Sequence, residues 1–336
     1  MSFVVGAASM RRPDHGVWTA ASLALAYLAL FAIYAAWALA SVQRGASPWP
    51  FVMAAPLVYL AVPFVFVSLW FLIAWAYRAD RPDHVRLGFA DALQLFWHEF
   101  VTIAGNSPRM IFYRWLIRDP APSLSRAPVL LLHGVLCNAG VWRPFMQWLA
   151  QRGVEPVYTL SYGPPLASIE RFAEQMASTV DAIRAQTGAD QVIVVAHSMG
   201  GLVARAYLRR FDPTAVGRLI TIATPHEGSV LAWLAFGQSL AQLRPGNRWL
   251  NELGTPEGEN VPPIVSLWSW HDSMVAPQTS SRVDFAENVE LAGIGHTALL
   301  RDREVFERVL DEITKARAQL ERDAPLQVAP TSGFPA

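Results

Sequence analysis

The sequence predicts an α/β protein in which a mainly parallel sheet, flanked by helices, follows two transmembrane helices. Three observations lead to this expectation. Two long runs near the start contain no charged residue. From about residue 127, short apolar segments typical of buried strands alternate with amphipathic segments typical of helices. At 191–201 a β-branched apolar run stops at a small-residue turn, and a helical pattern follows directly.

Composition narrows the class of protein. Hydrophobic residues make up 53% of the chain and charged residues only 16%, a balance that favours a membrane protein over a soluble one. The net charge is zero and no basic stripe is present, so nucleic acid is not expected as a partner. Cys137 is the only cysteine, which excludes an intrachain disulfide and a Cys-rich metal site.

The two uncharged runs predict an N-terminal membrane anchor over residues 1–86, with spans at 17–42 and 49–77. At about 1.5 Å per helical residue, each run is long enough for the roughly 30 Å of a bilayer core. Pro56 and Pro63 in the second run are tolerated in a membrane helix. Two buried core helices, or a cleaved signal peptide for the first run, are the alternatives. The first run is too long for a signal peptide.

The orientation of the two spans in the membrane is predicted from the positive charges around them. Arginines precede the first run and follow the second, whereas only Arg44 lies between them. The flanking residues are Arg11, Arg12, Arg78, Arg81 and Arg86. The positive-inside rule then places both ends of the helix pair in the cytoplasm.

Residues 87–126 are predicted to form a juxtamembrane amphipathic segment followed by a linker. Apolar residues recur at helical spacing up to about residue 116, and the stretch from residue 119 is rich in proline and serine. The helical part is expected either on the membrane surface or docked on the domain that follows.

Residues 127–320 are predicted to form a catalytic domain. Strands are expected at 129–133, 157–161, 192–195, 219–223, 264–268 and 289–291, and helices at 141–152, 169–186, directly after 198, and at 303–320. Ligands of such sheets bind at the carboxyl ends of the strands. Residues 321–336 are rich in proline and alanine and are expected to be a disordered tail.

Ser198 is the candidate nucleophile. It lies in the sharp turn between an apolar strand and a helix, the context of a nucleophile elbow. Such a turn requires small neighbours, and Ala196 and Gly200 are small. The usual pattern has glycine at the first of these positions, so Ala196 is a mild departure. The alternative is an ordinary strand-to-helix turn with a chance serine.

A serine nucleophile needs a base, and the base needs an orienting carboxylate. Sorting the histidines by position leaves His296, in a glycine-flanked loop after the last strand. Asp272 directly follows the fifth strand and is the chosen acid, with Asp284 in reserve. The backbone N–H groups of Met199, which opens the helix, and of Val135, which follows the first strand, are expected to bind the developing oxyanion.

These motifs resemble a known family. The stretches His133-Gly134, Ala196-His-Ser-Met-Gly-Gly201, Thr224-Pro-His-Glu-Gly-Ser229 and Gly295-His296, together with Asp272, are similar to the bacterial triacylglycerol lipases and esterases of the α/β-hydrolase superfamily. The resemblance covers about residues 127–318. It implies the α/β-hydrolase fold, a Ser-Asp-His triad and an acyl-enzyme, with no cofactor.

The chain differs from this family at two points. Larger secreted lipases of the family bind a structural calcium partly through an aspartate two residues after the catalytic histidine; Ala298 stands there, so no metal is expected. The family is mostly secreted, whereas this chain is predicted to be an integral protein of the bacterial inner membrane with its catalytic domain in the cytoplasm.

The insert between residues 223 and 262 is the expected substrate region. Leu231, Trp233 and Leu234 could line an acyl-chain pocket or form a lid, and a helix packed into the core is the alternative. The expected partners are a lipid or acyl ester and the bilayer. A thioesterase or acyltransferase would use the same residues, and a catalytically inert membrane interaction protein is the other alternative.

Overall fold

A computed structural model describes residues 14–256, 258 and 260–323. Six parallel strands form one sheet in the order β2-β1-β3-β4-β5-β6. Their bounds are β1 Val129–Leu132, β2 Val157–Leu160, β3 Val192–His197, β4 Val216–Ile222, β5 Ile264–Ser269 and β6 Glu287–Leu291. The predicted fold class is therefore confirmed. The first β4 residues escaped prediction because Gly217 and Arg218 interrupt the apolar run.

Helices cover both faces of the sheet. Their bounds are α1 Gly16–Gln43, α2 Trp49–Ala76, α3 Phe89–Ile111, α4 Tyr113–Leu116, α5 Arg143–Ala150, α6 Ile169–Thr187, α7 Met199–Arg210, α8 Gln238–Gln242, α9 Arg248–Leu253 and α10 Arg303–Asp323. Residues of α6 and α7 pack on one face, and residues of α5 and α10 on the other. A sheet covered on both faces accounts for strands that are apolar throughout.

The helix predicted at 141–152 is shorter than expected. It begins with a 3₁₀ turn at Ala139–Trp142, because the Asn138 side chain accepts a hydrogen bond from the Gly140 N–H. The α-helix proper, α5, then begins at Arg143, where Pro144 occupies one of the first positions. It ends before Gly153, whose φ of 69° leaves the helical region.

The helices α1 and α2 have 28 residues each and are long and apolar enough to cross a membrane. Pro56 and Pro63 lie inside α2 without ending it, as expected. The beginning of α1 and the end of α2 contact the same region. Asn138 Nδ2 donates to Gly16 O at 3.2 Å, and Ala79 N, three residues beyond α2, donates to Gln278 Oε1 at 3.1 Å.

The juxtamembrane helix α3 is docked rather than free. The Tyr59 hydroxyl of α2 donates to Ala104 O, and Tyr27 of α1 bonds Ser107 at 3.4 Å. The side of α3 that carries the buried Glu99 contacts the loop at Thr297, and the side opposite Glu99 exposes an apolar stripe at four-residue spacing, composed of Phe89, Leu93, Trp97 and Val101. The helix is therefore docked on the domain that follows, through Glu99, Thr297 and Ala298, and its contact with a membrane surface stays a prediction.

Two sequence-based predictions rest partly on residues outside the described range. Residues 324–336 of the predicted disordered tail lie outside it, and so do Arg11 and Arg12, which entered the orientation argument. The predicted domain boundaries stay a prediction.

Candidate active site

Ser198 lies in a strained turn between β3 and α7. Its φ of 55° and ψ of −129° are uncommon for a residue with a side chain, and such a backbone costs on the order of 1–3 kcal/mol. Two hydrogen bonds hold the turn: Ser198 N donates to Ile222 O at 2.8 Å, and Thr224 Oγ1 donates to Ser198 O at 2.9 Å. Strain maintained in this way is typical of functional sites.

Only small residues fit around this turn. A Cβ on Gly200 would lie 2.7 Å from His133 O, and one on Gly201 would overlap the Thr224 side chain. Ala196 is completely buried in the sheet. The alanine that departs from the usual glycine pattern is therefore accommodated, whereas Gly200 and Gly201 tolerate no side chain without local movement.

Asp272 and His296 form a buried, hydrogen-bonded pair at the carboxyl edge of the sheet. His296 Nδ1 lies 2.8 Å from Asp272 Oδ2 and 3.0 Å from Oδ1. Because a carboxylate can only accept, Nδ1 carries the hydrogen and Nε2 is left as the acceptor. Asp272 Oδ1 also accepts from the N–H groups of Met274 and Val275, both at 2.7 Å. The reserve acid Asp284 is exposed.

The loop that carries His296 contacts the turn that carries Ser198. The contact is made by His197, the residue before Ser198. His197 Nε2 donates to His296 O at 3.1 Å, and the two imidazole rings lie 4.7 Å apart between centroids. The structure therefore brings Ser198, Asp272 and His296 to one edge of the sheet.

The charge environment raises the pKa of His296. Burial acts to lower it, but the charge and hydrogen bond of Asp272 and the charge of Glu99 together outweigh burial. The carboxylates around this imidazole thus favour its protonated form, the state that a general base reaches when it accepts a proton.

The expected oxyanion donors lie close to Ser198. The loop after β1 passes so near that a Cβ on Gly134 would be 3.0 Å from Ser198 Cβ and 3.4 Å from Oγ. Val135 follows Gly134 in this loop. Met199 is the first residue of α7, where backbone N–H groups have no partner within the helix. Tyr162 supports the loop after β1: its ring stacks on the His133 ring, and its hydroxyl donates to His133 O.

Glu99 of α3 is a component that sequence analysis missed. Its side chain has 0% exposure, although it is ionisable. Glu99 Oε1 accepts from Thr297 N at 2.8 Å and from Ser273 Oγ at 3.1 Å, and Oε2 accepts from Ala298 N at 2.9 Å. One carboxylate therefore ties together the residues that directly follow His296 and Asp272.

Every partner of Glu99 donates to it, which is the pattern of an ionised carboxylate. Burial raises the pKa of Glu99, and the Thr297 and Ala298 N–H groups oppose that rise. The Ala298 position, where the larger secreted lipases are expected to carry a calcium ligand, contributes its backbone N–H to Glu99 instead.

The proposed substrate residues are not brought together. Leu231 is buried against Ala74 of α2 and Ala276. Trp233 is 61% exposed and Leu234 is 52% exposed, and the Arg244 guanidinium lies over the Trp233 ring at 4.4 Å. Phe236 is 89% exposed. The insert thus presents an exposed apolar surface beside α2 rather than an enclosed acyl pocket.

Comparisons with known proteins agree with this architecture. A model of the alpha/beta hydrolase family matches residues 129–333, more than half of the chain. A triacylglycerol lipase of Vibrio cholerae is 31% identical over 118 residues, which are 34% of this chain and 37% of that protein. A triacylglycerol lipase of Burkholderia plantarii is 32% identical over 115 residues, 32% of each chain. The chain thus spans about a third of the length of the curated relatives it matches.

Two solved structures have the same fold. Aspergillus fumigatus lipase B superposes with a TM-score of 0.57 at 16% identity, covering 85% of this chain and 85% of that one. The mature Bacillus licheniformis lipase BlEst2 superposes with a TM-score of 0.52 at 18% identity, covering 59% of this chain and 96% of that one. At this level of identity the likeness concerns the fold alone.

Proposed function

Because the chain belongs to the alpha/beta hydrolase family, we propose that it is a membrane-anchored serine hydrolase that cleaves carboxylic esters of lipids or acyl glycerols. The observation that carries the proposal is the strained Ser198 beside the buried Asp272–His296 pair. A structural serine would not require a positive φ, and a structural histidine would not require a buried carboxylate on Nδ1.

In the proposed reaction, Ser198 Oγ attacks the ester carbonyl carbon while His296 Nε2 takes the hydroxyl proton. Asp272 holds the imidazole with its hydrogen on Nδ1 and stabilises the imidazolium. The oxyanion accepts hydrogen bonds from the Met199 and Val135 N–H groups. Collapse breaks the ester C–O bond, the alcohol leaves with the proton from His296, and an acyl-enzyme remains. Water, deprotonated by His296, then attacks the acyl carbonyl carbon; the bond from that carbon to Ser198 Oγ breaks, Oγ takes the proton back from His296, and the carboxylic acid leaves.

Glu99 is proposed as a positioning residue in this site. It touches neither the substrate nor the reacting atoms. Its bonds to Thr297 and Ala298 set the position of the loop that carries His296, and its bond to Ser273 links this loop to the one that carries Asp272. The site would therefore depend on a helix that lies outside the proposed catalytic domain.

The anchoring part of the proposal rests on α1, α2 and the exposed surface of α3. Both helices of the pair have the length and apolarity of a span. The α3 stripe at Phe89, Leu93, Trp97 and Val101 remains exposed, as expected of a surface that contacts lipid. The beginning of α1 and the end of α2 both contact loops at the carboxyl edge of the sheet. The active site would thus face the bilayer, where lipid esters are concentrated.

The proposed layout is an anchor at residues 1–86, a juxtamembrane segment and linker at 87–126, and a catalytic domain at 127–320. With arginines flanking both ends of the helix pair, the catalytic domain would lie in the cytoplasm.

The test is hydrolysis of p-nitrophenyl esters, from acetate to palmitate, by the detergent-solubilised full chain and its Ser198→Ala variant. Ser178→Ala is the matched control, since Ser178 is exposed on α6. We expect the Ser198 variant to lose activity by up to about a millionfold and the control to keep it. Equal activity in all three proteins would refute Ser198 as nucleophile. Turnover of acyl thioesters or transfer to an alcohol, with no ester hydrolysis, would replace hydrolysis by one of the alternative activities.

A further inference from the structure

A cavity of about 710 Å³ opens where α2 ends against the catalytic domain. Ser198 and His296 do not line it, whereas Asp272 does, and we call it the arginine cavity. Part of its wall is apolar, with Phe71 and Ala74 from α2 and Leu95 from α3. Arg78, Arg81 and Arg86 line it, together with His271, Gln278 and the acidic residues Asp80 and Asp272.

His271 presents a buried donor to this cavity. It is 2% exposed, and its Nδ1 accepts from Gly293 N at 3.0 Å, which places the hydrogen on Nε2. Among the residues that the structure describes, His271 Nε2 has no hydrogen-bond partner. A buried donor left unpaired costs about 1–3 kcal/mol, so an acceptor that reached this group in the cavity would be stabilised.

Part of the positive charge in the arginine cavity also lacks a partner. Arg81 Nε is buried and has no partner within the described part of the chain. Burial and the charge of Arg78 lower the pKa of Arg81, and burial and the charge of Arg81 lower the pKa of His271 to about 4. The charges of Arg78 and Arg81 therefore repel one another, and the charge of Arg81 helps to keep His271 neutral.

The acidic lining residues do not neutralise this charge. The carboxylate of Asp272 already accepts hydrogen bonds from His296 and from two backbone N–H groups. Arg86 pairs with the exposed Asp83 at 3.0 Å, whereas no ion pair of Asp80 is found among the described residues. Donors thus outnumber free acceptors, and the group that would satisfy them is an anion.

We propose that the arginine cavity binds the phosphate headgroup of an anionic membrane lipid. Guanidinium groups and a neutral N–H are the donors that phosphate oxygens accept. Trp75, a residue of the kind that lies at headgroup level, lines the cavity, and the apolar part of its wall on α2 and α3 suits an acyl chain. The inference rests on the proposed membrane anchoring. It assigns a second lipid site next to the proposed catalytic acid, because Asp272 and its neighbour His271 both line the cavity.

The test measures binding of phosphatidylglycerol to the detergent-solubilised full chain by native mass spectrometry. Phosphatidylcholine and inorganic phosphate are the comparison ligands. We expect one phosphatidylglycerol adduct, an apparent Kd about tenfold higher in Arg81→Gln, and a further loss when Arg78→Gln is added. Arg118→Gln is the matched control, because Arg118 is exposed and does not line the cavity.

Each outcome bears on the proposal. Phosphatidylglycerol binding that depends on Arg81 supports it. Arg81-dependent binding of inorganic phosphate at the same headgroup concentration supports the anion site but assigns it a ligand from solution. Equal binding of both lipids, binding unchanged in the double variant, or no binding overturns it. Hydrolysis of p-nitrophenyl acetate by the same preparations, which needs no lipid, shows separately whether the proposed catalytic function stands.

Discussion

Replacing Glu99 separates the two effects of this carboxylate, its hydrogen bonds and its charge. In Glu99→Leu the side-chain size is kept, but the buried N–H groups of Thr297 and Ala298 lose their acceptor. In Glu99→Gln the amide oxygen can take the Oε2 position, which accepts from Thr297 N at 3.1 Å and from Ala298 N at 2.9 Å. At the Oε1 position the amide nitrogen can donate to a rotated Ser273 hydroxyl but can no longer accept from Thr297 N at 2.8 Å, so the charge and one hydrogen bond are removed.

The magnitudes follow from these contacts. Two buried donors left unpaired cost about 1–3 kcal/mol each, or about 2–6 kcal/mol in all. Even the lower bound, expressed in the transition state, reduces kcat about 30-fold. We therefore expect Glu99→Leu to lose at least this factor, with a smaller change in KM, and Glu99→Gln, which keeps an acceptor for both N–H groups, to lose less.

The pH profile provides a readout that a purely structural role would not move. His296 must be neutral to act as base, so its raised pKa places the acid limb of kcat/KM above the ordinary histidine value of 6.5. Because the Glu99 charge contributes to that rise, Glu99→Gln should move the limb to lower pH.

The assay is the pH dependence of p-nitrophenyl butyrate hydrolysis, with melting temperatures recorded to confirm folding. Asp91→Asn is the matched control, since Asp91 is an exposed acid on the same helix. Native kcat in folded Glu99→Leu, or an acid limb unmoved in Glu99→Gln, would refute the positioning role.

Three further predictions concern the elbow, the triad and the exposed insert. Asp272→Asn should lower kcat about ten-thousandfold in the ester assay and move the acid limb down, since the group that raises the pKa of His296 is lost; a limb that stays in place would contradict the assigned pair. Gly200→Ala places a Cβ 2.7 and 2.8 Å from two backbone carbonyl oxygens, so it should lower the free energy of unfolding by about 1–3 kcal/mol and impair hydrolysis, and an unchanged melting temperature would contradict this. Trp233→Ser and Phe236→Ser should each slow hydrolysis of vesicle-borne esters about tenfold while leaving p-nitrophenyl acetate unaffected, because both side chains are exposed; equal losses on both substrates would argue for a structural role.

The parts of the site with local signals were predictable from sequence. Ser198 and Met199 follow from a strand, a turn of small residues and a helix, all within eleven residues. His296 and Asp272 follow from their places after the last two strands, because parallel strands bring their carboxyl ends to one edge. The fold was predictable for the same reason, since each element carries its own periodicity.

Long-range partners had no such signal. Glu99 bonds residues almost 200 positions away, and in sequence it is only an acid within an amphipathic helix. An acidic residue in the mostly apolar stretch 95–104 was the one available indication. The insert at 223–262 was harder still to predict. Leu231 and Trp233 are both apolar, yet Leu231 packs on α2 and Trp233 is exposed. Only the position of α2 distinguishes them.

The most direct test of the proposed mechanism is covalent labelling by a fluorophosphonate, which phosphonylates an activated serine and loses fluoride. The full chain is labelled in detergent, and the modified peptide is identified by mass spectrometry. The proposal predicts a single adduct on Ser198, absent in Ser198→Ala and formed much more slowly in His296→Ala. Labelling of another serine, or an equal rate in the His296 variant, would contradict it.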